Sequence, residues 1–296
     1  MESNSDGALV FLPCLDSATM AESRRRDLDI PRAVALSLGE SAVEAAREGY
    51  YVSANGRRID WHDAVAAARA AKVSITPNTA LSRREQAAFP ETRVQVSNET
   101  TLGAALRLVQ NGLKPLALNF ANGIHPGGGF LNGARAQEET LCRLSALHET
   151  LVDDPMYEVH RRRPLPDSTD WAIYSPNVPV FRKDDGTTLE HPWLLSFLTC
   201  AAPVASRIGQ PIAGDLLQRR IQRVLAIAQS YGYAALILGA WGCGAFGNDP
   251  RRTAADFRQA LENDFKGAFS DIVFAIADWS PERRFLGPFR DVFGAS

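Results

Sequence analysis

Between Asn119 and Arg143 the chain reads NFANGIHPGGGFLNGARAQEETLCR, which brings glycine, amide and carboxylate groups into one short stretch. Gly127, Gly128 and Gly129 are consecutive, and glycines there let backbone approach a ligand and aim bare N–H groups at it. After a spacer of seven residues come Gln137, Glu138 and Glu139, at the start of a segment with helical periodicity. Adjacent carboxylates at the mouth of a ligand-binding loop can give and take protons. The combination points to hydrolysis of a phosphate-bearing sugar.

A Glu-Glu pair alone has a plainer explanation, since acidic residues favour helix N-termini for dipole reasons. The preceding glycines weigh against that explanation here. Burial would raise a carboxyl pKa and the helix N-terminus would lower it. A second loop, Gly239–Asp249, reads GAWGCGAFGND. Gly242, Gly244 and Gly247 fit the GxGxxG pattern of dinucleotide-binding oxidoreductases, but the loop lies too late in the chain for the strands that such a fold still requires. It reads better as a cradle of backbone N–H groups for a diphosphate, with the Phe246 ring against a sugar. The alternative is a tight turn with Phe246 in the core. Asn122 can donate to and accept from sugar hydroxyls, although Asn in a turn also serves the backbone. His125, before Pro126, reads as loop-shaping. His62, His148, His160 and His191 show no metal-ligand spacing. Arg24–Arg26 and Arg161–Arg163 read as solvated surface, with phosphate contact by the second run as the lesser alternative.

These groups must be held by a frame of alternating elements. Strand patterns fall at 94–96, 116–120, 171–174, 178–181, 235–238 and 272–276, with helical patterns at 101–110, 136–151, 215–230 and 253–261. Alternation of this kind calls for a sheet covered by helices on both faces, with ligands at the carboxyl ends of the strands. In 136–151, Leu141, Leu144, Leu147 and Leu151 form one apolar stripe, which places Glu138 and Glu139 in the first turn. Earlier, 31–49 and 61–71 read as helices, and 50–52 and 57–59 as a hairpin around Asn55-Gly56. Residues 1–23 read as a loose terminus and 77–90 as a connector.

Composition excludes several classes. Lys+Arg number 32 against Asp+Glu 34, for a net charge of -2, so no basic field calls for naked nucleic acid. Cys14, Cys142, Cys200 and Cys243 lack CxxC spacing, which fits a reducing compartment rather than a disulfide framework. Neither a convincing secretory signal nor a membrane-length apolar run is present, so a soluble, intracellular, cytoplasmic protein without a membrane partner is expected.

Taken together, the two loops resemble the poly(ADP-ribose) glycohydrolase family, in its shorter, bacterial-type form. That family's signature is a glycine triplet, six to eight residues, then Gln-Glu-Glu, as in Gly127–Gly129 and Gln137–Glu139. The stretches NFAN before that signature and WGCGAFGND after it fit in the expected order, and the likeness runs from about Arg24 to Asp278, with the segments SPNVPVFR and FAIAD included. It implies a macrodomain-like three-layer α/β/α sandwich with a mixed central sheet over residues 93–296. Residues 1–92 would then be a tail and a mostly helical accessory region.

By the same resemblance, Glu139 is the general acid and base that cleaves the ribose–ribose bond, and Glu138 holds ribose hydroxyls. Asn122 contacts the terminal ribose. Gly127, Gly128 and Gly129, together with Gly242, Cys243, Gly244, Ala245 and Phe246, wrap the diphosphate and ribose, and Gln137 joins the binding set. Neither metal nor cofactor is implied. Partners are poly(ADP-ribose) and ADP-ribosylated proteins as substrates, with ADP-ribose as product. Competing readings are a non-catalytic ADP-ribose reader, which would lack Gln-Glu-Glu, and a hydrolase of single protein-linked ADP-ribose.

Overall fold

A computed structural model describes residues 7–82 and 87–294. The chain opens with β1 (Ala8–Phe11) and α1 (Ala18–Leu28), whose first turn is capped by the Ser17 hydroxyl accepting from the Met20 N–H. Helix α2 (Arg32–Glu48) stops at Gly49, which adopts the left-handed φ of 76° that ends helices. The Asn55-Gly56 turn joins β2 (Tyr50–Val52) to β3 (Arg58–Asp60), with Tyr50 opposite Asp60. Then follow α3 (His62–Ala71), β4 (Val73–Ile75), β5 (Glu91–Ser97), α4 (Thr101–Gln110) and β6 (Pro115–Ala121).

After β6 the chain forms α5 (Gln137–Leu144), α6 (Leu147–Leu151), α7 (Pro155–Arg161), β7 (Ala172–Arg182) and β8 (Thr188–Ala201). It ends with α8 (Ala205–Ile208), α9 (Ile212–Ser230), β9 (Ala235–Leu238), α10 (Pro250–Glu262), β10 (Asp271–Ala275) and α11 (Leu286–Phe293). Among the described residues, eight strands form one sheet in the order β1-β5-β10-β9-β6-β8-β7-β4. Neighbours from β1 to β8 run parallel, while β7 and β4 add antiparallel pairings. Side chains alternate across it. Leu116 and Leu118 of β6 pack with α9, α10 and α11, while Ala117 faces the layer built by α2 to α7. The mixed-sheet, three-layer sandwich expected from the sequence is therefore present.

Several local expectations are corrected. The segment read as a loose terminus contains β1 and most of α1; residues 1–6 of it lie outside the described residues, as do 83–86 of the connector. The accessory boundary at 92/93 falls inside β5, and β1 and β4 supply both edges of the main sheet. Ala42, Tyr51, Trp61 and Val65 share one core with the sheet, so residues 1–92 are built into the domain. The single helix read at 136–151 divides at Ser145, whose hydroxyl donates to Leu141 O and whose backbone bridges to Val180. Leu141, Leu144, Leu147 and Leu151 are all buried even so. The strands read at 171–174 and 178–181 are one bulged strand, with Asn177 at φ 51° between Ser175 and Val178.

Candidate active site

Both glycine loops leave the carboxyl ends of adjacent parallel strands, β6 and β9, where ligands bind such sheets. Gln137 sets the angle at which α5 meets β6. Its Oε1 accepts from Phe120 N at 2.9 Å, and its Nε2 donates to Leu118 O at 2.8 Å and Thr101 Oγ1 at 3.0 Å. The Gln137 amide, expected to bind substrate, is thus engaged in splinting the helix to the strand, although the residue still lines the cleft described below.

That splint places two carboxylates behind the first loop. Glu138 is 2% exposed and accepts from Asn119 Nδ2 at 3.2 Å through Oε1 and from Asn122 N at 2.6 Å through Oε2. Burial pushes its carboxyl up to about 8, and the neighbouring Glu139 adds to the rise; the N–H groups of Asn122, Asn119 and Gly127 pull the other way. Glu139 is 9% exposed, and its Oε1 accepts from Gly129 N at 2.9 Å. Its Oε2 is enclosed without a hydrogen-bond partner among the described residues. The two side chains converge on Gly128, where a Cβ would lie 2.4 Å from Glu139 Oε1 and 3.0 Å from Glu138 Oε2. With φ at 60° as well, the position requires glycine. Arg143, one helical turn along, is buried and donates to Ala134 O at 2.6 Å.

The glycine triplet therefore serves differently from the expected diphosphate cradle. Gly128 N donates to His125 O at 3.0 Å and Gly129 N to Glu139, so those N–H groups point at protein acceptors. The triplet seats the carboxylates. Asn122 braces the loop backbone. Its Oδ1 accepts from Ile124 N at 2.9 Å and His125 N at 3.0 Å, while its NH₂ group donates to no protein acceptor among the described residues. His125 shapes this loop through its backbone.

The second loop differs in leaving backbone N–H groups open. The N–H groups of Gly242, Gly244, Ala245 and Phe246 donate to no protein acceptor among the described residues. Asn248 braces the turn, with Nδ2 donating to Pro203 O at 2.8 Å and Gly242 O at 3.1 Å. Gly244 and Ala245 are exposed, and with Gly242 and Phe246 they line a cleft of about 290 Å³. Phe246 is half-buried: one part of its ring packs on the core and another borders the cleft. Cys243 faces away, its thiol buried beside Thr253 and pushed up to about 12 by desolvation, so only its backbone is available to a ligand.

Sequence reasoning missed the groups that hold the first loop from behind. Asn119 spans from Glu138 to Thr199 Oγ1, 3.1 Å away; an amide within an otherwise apolar strand was the available signal. His160 of α7 receives the Thr169 N–H on Nε2 at 3.1 Å, so Nδ1 carries the proton and donates to Gly123 O at 3.0 Å. Burial lowers its pKa to about 4 and keeps the ring neutral. Arg161 and Arg162 pair with Glu158, and Arg163 with Asp167, as expected of surface charges. Among the described residues, no group of three His, Cys, Asp or Glu side chains is placed to share a metal ion.

A family model for the catalytic domain of microbial-type poly(ADP-ribose) glycohydrolase (PARG) matches residues 39–183. The solved structure of PARG from Thermomonospora curvata is 39% identical over 88% of this chain and 99% of that one, with a TM-score of 0.83. The same enzyme bound to the inhibitor ADP-HPD is 40% identical over the same shares, with a TM-score of 0.80. PARG from Deinococcus radiodurans in complex with ADP-ribose is 41% identical over 78% of this chain and 97% of that one, at a TM-score of 0.74. Comparison with curated proteins returns no match.

Proposed function

The chain belongs to the microbial-type poly(ADP-ribose) glycohydrolase family, and from that membership we infer how its own carboxylates break the polymer. It is a glycosidase that hydrolyses poly(ADP-ribose). The bonds cut are the ribose–ribose O-glycosidic links, and ADP-ribose is released. Polymer carried on ADP-ribosylated proteins is the natural form of that substrate.

Glu139 carries the proton in this reading, and the observation behind it is the unequal engagement of the two carboxylates. Both oxygens of Glu138 accept protein N–H donors, whereas Glu139 Oε2 has no protein partner among the described residues. The Glu139 acid donates to the bridging oxygen as the bond to the anomeric carbon breaks, and the electron pair leaves with that oxygen. The resulting oxocarbenium-like ribose faces the Glu139 carboxylate. Glu139 then takes a proton from water as the water oxygen bonds to the anomeric carbon, which restores the acid. One carboxyl group performs both transfers, because two neighbours on one helical turn do not flank a sugar as a separated acid and base would. Glu138 orients ribose hydroxyls. Asn122 holds the same ribose, and the open N–H groups of Gly242–Phe246 take the diphosphate.

Incubating the purified protein with poly(ADP-ribose), and separating the products by size, tests this reading. Release of ADP-ribose is expected. Intact polymer after incubation with folded protein that binds ADP-ribose would leave a reader rather than an enzyme.

A further inference from the structure

Loop 276–285, between β10 and α11, carries Trp279 and Phe285, and both line the cleft. Trp279 is 39% exposed, a large apolar surface to leave open in a structural residue. One carboxylate gathers this loop. Asp278 Oδ1 accepts from Ser280 N at 2.9 Å and Ser280 Oγ at 2.7 Å, while Oδ2 accepts from Phe285 N at 2.8 Å and Leu286 N at 3.1 Å. Burial opposes its charge, yet these donors hold the Asp278 carboxyl below its ordinary value.

The gathered loop is fastened to the other end of the chain. Asn98, just after β5, donates to Asp278 O at 2.7 Å and accepts from Asp278 N at 3.0 Å. Its amide nitrogen also donates to Asp16 Oδ1 at 2.8 Å. Asp16 Oδ2 accepts from Arg283 Nε at 2.8 Å, and Arg283 Nη1 returns to Ser280 O at 2.7 Å. Arg283 holds the left-handed φ of 52°, rare for a residue with a side chain and kept only where the surroundings demand it. Leu28, from the same N-terminal segment, also lines the cleft.

We propose that Asp16, Asn98 and Arg283 form a buckle through which the N-terminal segment positions Trp279 and Phe285 as the wall that receives the purine end of ADP-ribose. The proposal rests on the reading that the protein binds ADP-ribose. With ribose at the carboxylates and diphosphate on the Gly242–Phe246 loop, the cleft beyond, past Ala275–Ala277, is left for the adenosine. A flat base gains most from aromatic faces that are already in place, because no ordering cost then falls on binding. Asp16 and Arg283 are thus positioning residues acting through the wall, and touch no substrate themselves.

The test compares Asp16→Ala, Trp279→Ala and the double variant by calorimetric affinity for ADP-ribose and by kcat and KM on poly(ADP-ribose). Asp16→Ala should weaken affinity and raise KM by about tenfold, while kcat at saturation stays within about twofold. The double variant should bind no more weakly than Trp279→Ala alone, since a buckle has nothing left to position once the wall is gone. Arg283→Gln, which leaves the Asp16–Asn98 bond intact, should reproduce the affinity loss should Asp16→Ala fail to fold. Unchanged affinity in folded Asp16→Ala or Arg283→Gln overturns the buckle, as do losses that multiply in the double variant. Absence of ADP-ribose binding by the wild-type protein would remove the underlying reading as well.

Discussion

Glu138 and Glu139 are sequence neighbours with different surroundings, and substitution can separate their roles. Glu139→Gln keeps shape and hydrogen-bonding capacity but cannot transfer a proton, so turnover should fall ~10²–10⁴-fold with ADP-ribose affinity little changed. Glu138→Gln alters the neighbouring carboxyl group of the same turn and should show the smaller defect. A nearly inactive Glu138→Gln beside an active Glu139→Gln would reverse the assignment. The raised pKa of Glu138 also predicts a pH dependence of stability. Between its ordinary value of 4.5 and about 8, the folded protein keeps a proton that the unfolded chain releases. Unfolding thus becomes easier as pH rises through that window, and the contribution is fully present only below it. Melting temperature measured from pH 4.5 to 8 should therefore fall less steeply in Glu138→Gln than in the wild type. Parallel slopes would mean that Glu138 ionises normally in the fold.

At the scale of elements, the two glycine loops divide the work. The first shapes the carboxylates and the second offers N–H groups, so damage to each should appear in a different kinetic constant. A methyl group at Gly128 would meet Glu139 Oε1 at 2.4 Å. Gly128→Ala should therefore lower kcat by at least about tenfold, with ADP-ribose affinity largely retained. Phe246→Ala should do the opposite, raising KM and weakening ADP-ribose binding while kcat changes less. Because its ring is only partly buried, the folding cost should stay below the ~3–5 kcal/mol of truncating a fully buried Phe. Calorimetric binding with steady-state kinetics on both variants checks the division, and the same pattern in both would contradict it.

For the whole molecule, the N-terminal strand matters more than its polar composition suggests. β1 pairs with β5 from Ala8 to Phe11, and the Phe11 ring meets Phe293 edge-on at 6.1 Å. Removing residues 1–12 would uncover the edge of β5 and one flank of the α11 core, yet it would spare the buckle at Asp16. Phe11 is only partly buried, but with the β1–β5 pairing lost as well the cost should reach the ~3–5 kcal/mol of truncating one buried aromatic. Thermal and denaturant unfolding of the truncated protein would measure it. A loose terminus could be removed without a change in melting temperature, and that result would contradict the strand's importance.

What the sequence by itself determined lies within short stretches, where neighbouring residues settle the outcome. The Gly127–Gly129 and Gln137–Glu139 pairing, the Asn55-Gly56 hairpin, the apolar run of β9 and the helix over Thr101–Gln110 are all of this kind. Each depends on backbone freedom or side-chain periodicity among residues a few positions apart. Tertiary structure alone decided where the polar groups point. The Gly128 and Gly129 N–H groups turn inward to His125 O and a carboxylate, and Gln137 is spent on β6. Asn119 meets Glu138 only because β6 and α5 pack together, and Asn98 bonds to Asp278 across 180 residues of chain. A hydrogen bond needs its partner within about 3 Å, and no local pattern carries the distance between segments that meet only once the sheet has formed.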